Sequence, residues 1–368
     1  MRKTFALFLI FPNFCSLAQK PTRMLEKMGL KELQQQVNYI PVKRFTSLVF
    51  AGTDSVTNYR PRNITVDGFY MSKTEVTNQE YREFVHYVRD SIAHTMLSHI
   101  PAGTGAIDWN LPIDWTDKRL GQLLLAPGES FNGRAELDAG AILFNVEISG
   151  NRERISIYPD TLVWIRDFSN SNNEPMAKNY FSAPFYNDYP VVGISQKQAI
   201  AFCQWKTHRV NRELHPTDAA LTELQIMLPG NAEWESAASD GLDTVYVQRK
   251  KKHYLYNFGN IVDGSRITIK TYRDDGYLYA APVRSYPEGP YGLFDMKGNV
   301  SEWTSTGMEE VVNAEMKANR TRSFFVVKGG GWNSAPFYLQ AGVCQFFPAD
   351  EVHSYIGFRY MVRVKNKY

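Results

Sequence analysis

Between Ala281 and Trp303 the chain reads APVRSYPEGPYGLFDMKGNVSEW. A proline-glycine turn, Pro287-Glu288-Gly289-Pro290, leads into a short apolar segment, Tyr291 to Phe294, and then come Asp295, Gly298, Asn299, Glu302 and Trp303. Proline withholds a backbone donor and glycine opens left-handed backbone, so a fold built around this stretch is organised by turns. Acidic side chains at the two ends of a glycine-containing turn can point their oxygens inward, as a hard cation such as calcium requires. The same residues equally suit a polar turn capped by a buried tryptophan.

The length, 368 residues, leaves room for one large domain or two ordinary ones. Aromatic residues make up 14% of the chain, enough for a large aromatic core or an adhesive surface. A net charge of +3 is too weak to argue for nucleic acid, and the run Arg249 to Lys252 reads as a solvated loop.

At the N-terminus, Arg2 and Lys3 precede an apolar run from Phe5 to Phe11, and Ser16-Leu17-Ala18 follow. That order predicts a signal peptide over 1–18 with a cut after Ala18, and hence an exported, periplasmic protein. The apolar run is too short to span a bilayer. Cys15 is preceded by Pro12-Asn13-Phe14, which do not make a lipobox. With Cys15 removed, only Cys203 and Cys344 remain, so the chain is not a disulfide-stapled scaffold.

Residues 19–60 read as an N-terminal helix and lead-in, with an amphipathic helix over Leu25 to Val37 that packs on the main body or on a partner. A strand follows over Ile64 to Met71. Thr77 and Glu80 form a capping-box pattern opening a helix through Val88. From about 90 to 185 periodicity loosens into an insertion, with strand-like pieces at Ala141–Ile148 and Arg154–Tyr158. Ser195 caps a helix running to Asn211, and Asn231 suits the cap of another.

Several chemistries lack their residues. No phosphate-binding loop is present, and Lys328 to Trp332 reads as a tight turn beside a buried tryptophan. The histidines form no HExxH and no tight pair with a carboxylate, which argues against zinc or facial-triad iron. Gly-x-Ser-x-Gly is absent. Both remaining cysteines lie among apolar residues, where a thiol is inert.

Taken in order, blocks of this chain resemble the formylglycine-generating enzyme, or sulfatase-modifying factor, family. They are Val66 to Met71 with Glu75-Val76-Thr77-Asn78, Tyr189 to Val192 with Ala199 to Trp205, and Leu228-Pro229 with Ala232 to Glu235. Tyr291-Gly292-Leu293 with Gly298-Asn299-Val300 and Glu302-Trp303, Lys328 to Trp332, and Gly357-Phe358-Arg359 complete the series. The resemblance implies one α+β domain, related to C-type lectins, over 61–366, with low regular secondary structure and long loops.

It also implies two calcium sites. The first would take Asn260, Ile261, Asp275 and Tyr277; the second Asp295, Gly298, Val300 and Glu302. It implies no formylglycine chemistry, because the two copper-binding cysteines of the family's active site fall on Ser334 and Leu339, and neither supplies a thiolate. Neither copper nor iron is expected. The disulfides of some members would be half missing, with Cys203 facing Tyr360 and Cys344 facing a position near Ala238, leaving two free, buried thiols.

The insertion motifs, among them Tyr158-Pro159-Asp160-Thr161, Trp164 to Phe168 and Asn173 to Met176, resemble the non-enzymatic branch found in gliding-motility and type IX secretion proteins of the GldK/PorK type. That implies a structural subunit of a periplasmic ring at the outer membrane, in contact with a protein partner through the insertion and the N-terminal helix. The alternatives are a formylglycine-generating-enzyme-like oxidoreductase, or a peptide- or glycan-binding module.

Overall fold

In the computed structural model the chain opens with α1 (Lys31–Gln36), β1 (Val37–Ile40) and β2 (Lys43–Ala51). The structure describes Leu25 and residues 28–51, 60–103, 105–125, 137–168, 173–214, 222–238, 249–250, 253–254, 256–259, 261–263, 266–268, 276–311 and 322–366. The expected signal peptide and Cys15 lie outside these residues. Among the described residues no helix is long and apolar enough to cross a membrane.

The strand expected over Ile64 to Met71 is two strands, β3 (Arg60–Val66) and β4 (Phe69–Ser72), because Asp67-Gly68 turns the chain from one sheet into another. α2 (Asn78–Met96) carries the predicted capping box: Glu80 N donates to Thr77 Oγ1 and Thr77 N donates to Glu80 Oε2, both at 3.2 Å. It runs past Val88 because no breaker intervenes, so the insertion begins inside this helix. There follow the hairpin β5 (Leu143–Ile148) and β6 (Asn151–Ser156), then α3 (Val163–Arg166) and α4 (Glu174–Asn179). Ser195 caps α5 (Gln196–Glu213) in a second box with Gln198.

After α5 come β7 (Thr222–Met227), α6 (Asn231–Ala238) and two short hairpins. These are β8 (Arg249–Lys250) with β9 (His253–Tyr254), and β10 (Ile261–Asp263) with β11 (Arg266–Thr268). Asn231 is the first residue of α6 rather than its cap; its own N–H donates to Thr306 Oγ1 at 2.8 Å. The chain ends with β12 (Ser301–Gly307), α7 (Met308–Val311), β13 (Phe324–Lys328), β14 (Val343–Pro348), β15 (Ile356–Gly357) and β16 (Met361–Asn366).

Two sheets organise the core: an antiparallel sheet in the order β1-β4-β16-β7, and a mixed sheet in the order β15-β12-β13-β14-β2-β3. β1 and β2 therefore belong inside the domain, and the boundary drawn at 61 is too late. A strand edge left in a preceding linker would leave its ladder donors unpaired. The main core packs Tyr81 and Phe84 of α2 against Phe202 and Trp205 of α5, with Tyr81 stacked on Phe202 at 5.7 Å. Each fully buried ring stabilises by about 1.5–3 kcal/mol. Leu25, Met28, Leu30 and Leu33 enter this same core. The helix expected over Leu25 to Val37 is described only over Lys31–Gln36, since Val37 opens β1, and the apolar residues described in this stretch pack on the body.

Candidate functional site

β12 delivers Glu302 to the middle of the molecule. Its carboxylate is 1% exposed, and Arg359, fully buried, donates from Nε to both oxygens at 2.8 and 2.7 Å. Trp234 Nε1 of α6 donates to Oε2 at 2.6 Å. The remaining guanidinium nitrogens of Arg359 reach the carbonyls of Ser72 at 3.1 Å and Phe294 at 2.9 Å. One side chain thereby ties the end of β4 and the Ala281–Trp303 stretch to β12.

Two further carboxyls crowd this guanidinium. Asp295 has left-handed backbone (φ 57°) and is 4% exposed; Arg284 N donates to its Oδ2 at 2.6 Å, while Oδ1 has no hydrogen-bond partner. Burial pushes its pKa up to about 6, with Glu302 adding to the shift and Arg359 opposing it. Glu75, just before the capping box of α2, is fully buried. Asn299 Nδ2 donates to its Oε1 at 3.1 Å, and its Oε2 is unpartnered. Burial, then Asp295, then Glu302 hold Glu75 well above the ordinary carboxylate range, against the pull of Arg359. Three carboxyls thus share one cation.

The expected second calcium set divides accordingly. Asp295 retains an unpartnered oxygen, but Glu302 already receives Arg359 and Trp234. Gly298 (φ 82°) and the fully buried Val300 flank Asn299, whose side chain bonds Ala281 and Glu75. Glu75 is not among the expected ligands; its one signal in the sequence is its place in the block Glu75-Val76-Thr77-Asn78, which assigns it no role. In charge and donor type these residues fit a hard divalent ion: the donors are all oxygen, two are unpartnered, and full ionisation leaves a surplus of two negative charges. The carboxylates do not converge as they stand, since among the described residues no three His, Cys, Asp or Glu side chains could hold a metal. Main-chain oxygens would have to complete the set. Of the first set, Asn260 and Asp275 lie outside the described residues; Ile261 is in β10 and Tyr277 follows the left-handed Gly276.

Ser334 and Leu339, the positions expected to correspond to the family's active-site cysteines, are both buried packing residues. Ser334 is 8% exposed; its Oγ accepts the N–H of Gly331 at 2.9 Å and its carbonyl accepts Gly259 N at 2.6 Å. Leu339 is 1% exposed and lies against Gly330. Neither offers a metal a soft donor, so a copper ion does not fit here. Beside them, Trp332 stacks on Phe168 at 5.4 Å and on Trp164 at 6.4 Å, with Tyr279 edge-on. The insertion supplies Trp164 and Phe168, and thus one wall of this aromatic cluster.

Among the described residues, Cys203 and Cys344 are both buried and neither is in a disulfide. Cys203 packs in the main core with Tyr360, as expected. Cys344 faces α6, where its Sγ lies 3.3 Å from Asn231 Oδ1 and 3.6 Å from Lys328 Nζ. Lys328 in turn reaches Glu235 Oε1 at 3.0 Å, and Glu235 accepts Ser47 Oγ. Burial pushes both thiols up.

The family described as sulfatase-modifying factor enzyme 1-like domain matches residues 41–364. The formylglycine-generating enzyme of Mus musculus is 25% identical over 329 residues, covering 81% of this chain and 67% of its own length. The chain spans about two thirds of the formylglycine-generating enzymes of Mus musculus and Bos taurus. A Bos taurus protein described as inactive C-alpha-formylglycine-generating enzyme 2 is 28% identical over 154 residues, 40% of this chain and 42% of its own. The structure of PvdO from Pseudomonas aeruginosa aligns with a TM-score of 0.46 and 15% identity, over 89% of this chain and 94% of that one. By the extent of the family match, this chain belongs to the sulfatase-modifying factor enzyme 1-like family.

Proposed function

We propose that this protein is a catalytically silent member of its family, exported to the periplasm and stabilised by calcium. In this reading it serves as a structural subunit of an envelope-associated secretion or gliding-motility assembly. The observation that carries the reading is the pair Ser334 and Leu339: at the positions of the family's copper-binding cysteines one side chain braces the Gly331 turn and the other is core. Family membership is compatible with a silent site, since one relative is itself described as inactive. Calcium, held by Asp295 with Glu75 and main-chain oxygens of the Gly298–Val300 turn, would cancel the surplus negative charge around Arg359 and fasten the turns together.

Partner contact falls to the insertion, because Leu25, Met28, Leu30 and Leu33 of the N-terminal segment pack in the core. Leu162, Ile165 and Phe185, at 58%, 38% and 77% exposure, are large apolar side chains presented there, next to the Trp164 cluster. Affinity purification from the native envelope, with mass spectrometry of what co-purifies, tests the assembly role. The expected result is a stable envelope partner lost on substitution of Phe185 and Ile165 by Asp. A monomer with no partner after mild crosslinking would refute it. Retained copper or iron, or oxygen consumption with a thiol peptide, would instead support the oxidoreductase reading.

A further inference from the structure

α2 closes in a way that brings two histidines together. Leu97 is its C-cap, and Ser98 follows in left-handed backbone at φ 62°. His99 N donates to His94 O at 2.9 Å and Ser98 N donates to Thr95 O at 3.1 Å. These two bonds form the Schellman closure, which lays the side chain two positions beyond the cap against the one three positions before it. That contact is frequently apolar. Here both members are imidazoles, with Nδ1 2.9 Å from Nδ1 and ring centroids 5.2 Å apart.

The surroundings fix the pair without neutralising it. His94 is 3% exposed, while His99 is half-buried and reachable from solvent. Asp108 N donates to His99 O at 2.9 Å, and the next residue, Trp109, stands edge-on to His94 at 5.3 Å and stacks on Tyr87 at 5.1 Å. The Asp108 carboxylate is directed to Asn110, at 3.0 and 3.1 Å, and not to either ring. At the observed separation only one of the two Nδ1 atoms carries the proton, and the other offers its lone pair. Two imidazole nitrogens this close can both reach one ion, and a borderline-soft divalent ion that binds imidazole can displace the shared proton to take them.

We propose that His94 and His99 form a two-histidine site for a zinc-class divalent ion, each ligating through Nδ1 with its hydrogen on Nε2. Zinc–nitrogen distances of about 2.0–2.1 Å set two tetrahedral nitrogens roughly 3.3 Å apart, so the pair opens by about 0.4 Å and the rings turn until both Nδ1 lone pairs meet the ion. His99, outside the helix, supplies that movement. Two coordination positions remain for water. The site is distinct from the carboxylate cluster, whose all-oxygen donors select a hard cation.

The test is calorimetric titration of tag-free, full-length protein with zinc chloride in excess calcium, repeated on His99→Ala. That position is partly exposed, and circular dichroism checks that the variant folds. The proposal expects one zinc equivalent in the wild type, weakened roughly tenfold or more in the variant. It also expects the imidazole nitrogen NMR signals of His94 and His99 to move together on zinc addition. Equal stoichiometry and affinity in His99→Ala, zinc-induced shifts confined to other histidines, or no zinc uptake by the wild type would each overturn it.

Discussion

Arg359 Nε lies 2.8 and 2.7 Å from the two carboxylate oxygens of Glu302, and both side chains are closed to water. A buried pair of this kind is a weak source of stability but a costly one to break, because the survivor is left charged in a low-dielectric site. Here breaking it would also remove the cation that opposes the raised pKa values of Glu75 and Asp295. Replacing Arg359 with Met should cost about 3–5 kcal/mol in a urea melt. A loss within experimental scatter would mean that the buried pair contributes no net stability.

Calcium should raise the melting temperature of the wild type, following the mass-action dependence on free ion. Asp295→Asn keeps the acceptor of Arg284 N–H but removes the charge, and should abolish most of that increase. Thermal melts across a calcium series, with magnesium as control, measure it. A full calcium response in the variant would exclude Asp295 from the site.

His353 predicts a dependence on pH. Burial opposes its charged form, but hydrogen bonds to Asp167 and Glu351 more than offset this and hold its pKa above the ordinary histidine value. Its contribution is therefore complete below about pH 6.5 and is lost as pH rises through the higher folded value. Urea midpoints from pH 6 to 9 should fall more steeply for the wild type than for His353→Gln. Parallel curves would show that the bridge between the insertion and the β14–β15 loop contributes nothing.

Gly298→Ala should destabilise by more than 1 kcal/mol, on the order of several, since the backbone is left-handed and an added Cβ would meet the backbone of Asn257. The damage should be local: amide exchange would accelerate first around Asn257, Gly298 and Asn299, which are joined by main-chain bonds. Uniform loss of protection would point to a global role.

Cys203 and Cys344 should resist alkylation in the folded protein and react on unfolding, as burial raises both thiols. Mass spectrometry of the two peptides before and after urea distinguishes this from a disulfide, which would remain unreactive in both conditions without reductant.

Much of this protein follows from short-range rules acting on its residues. Thr77 with Glu80 and Ser195 with Gln198 start helices wherever they are placed, because each box satisfies orphan donors within its own turn. The order of the sequence blocks carried the family, and Ser334 and Leu339 could be named before their packing was known. What the residue pattern left undetermined involves partners far apart in the chain. Glu75 meets Asn299 across 224 residues and Arg359 meets Ser72 across 287. Sequence spacing contains no distance for such pairs. Glu302 was expected to face a cation supplied from outside, whereas folding supplied one from within, the guanidinium of Arg359. His94 and His99, five residues apart, would lie on different sides of a continuous helix at about 100° per residue. Only the left-handed turn at Ser98 sets their rings against each other, and that turn depends on where the tertiary structure ends the helix.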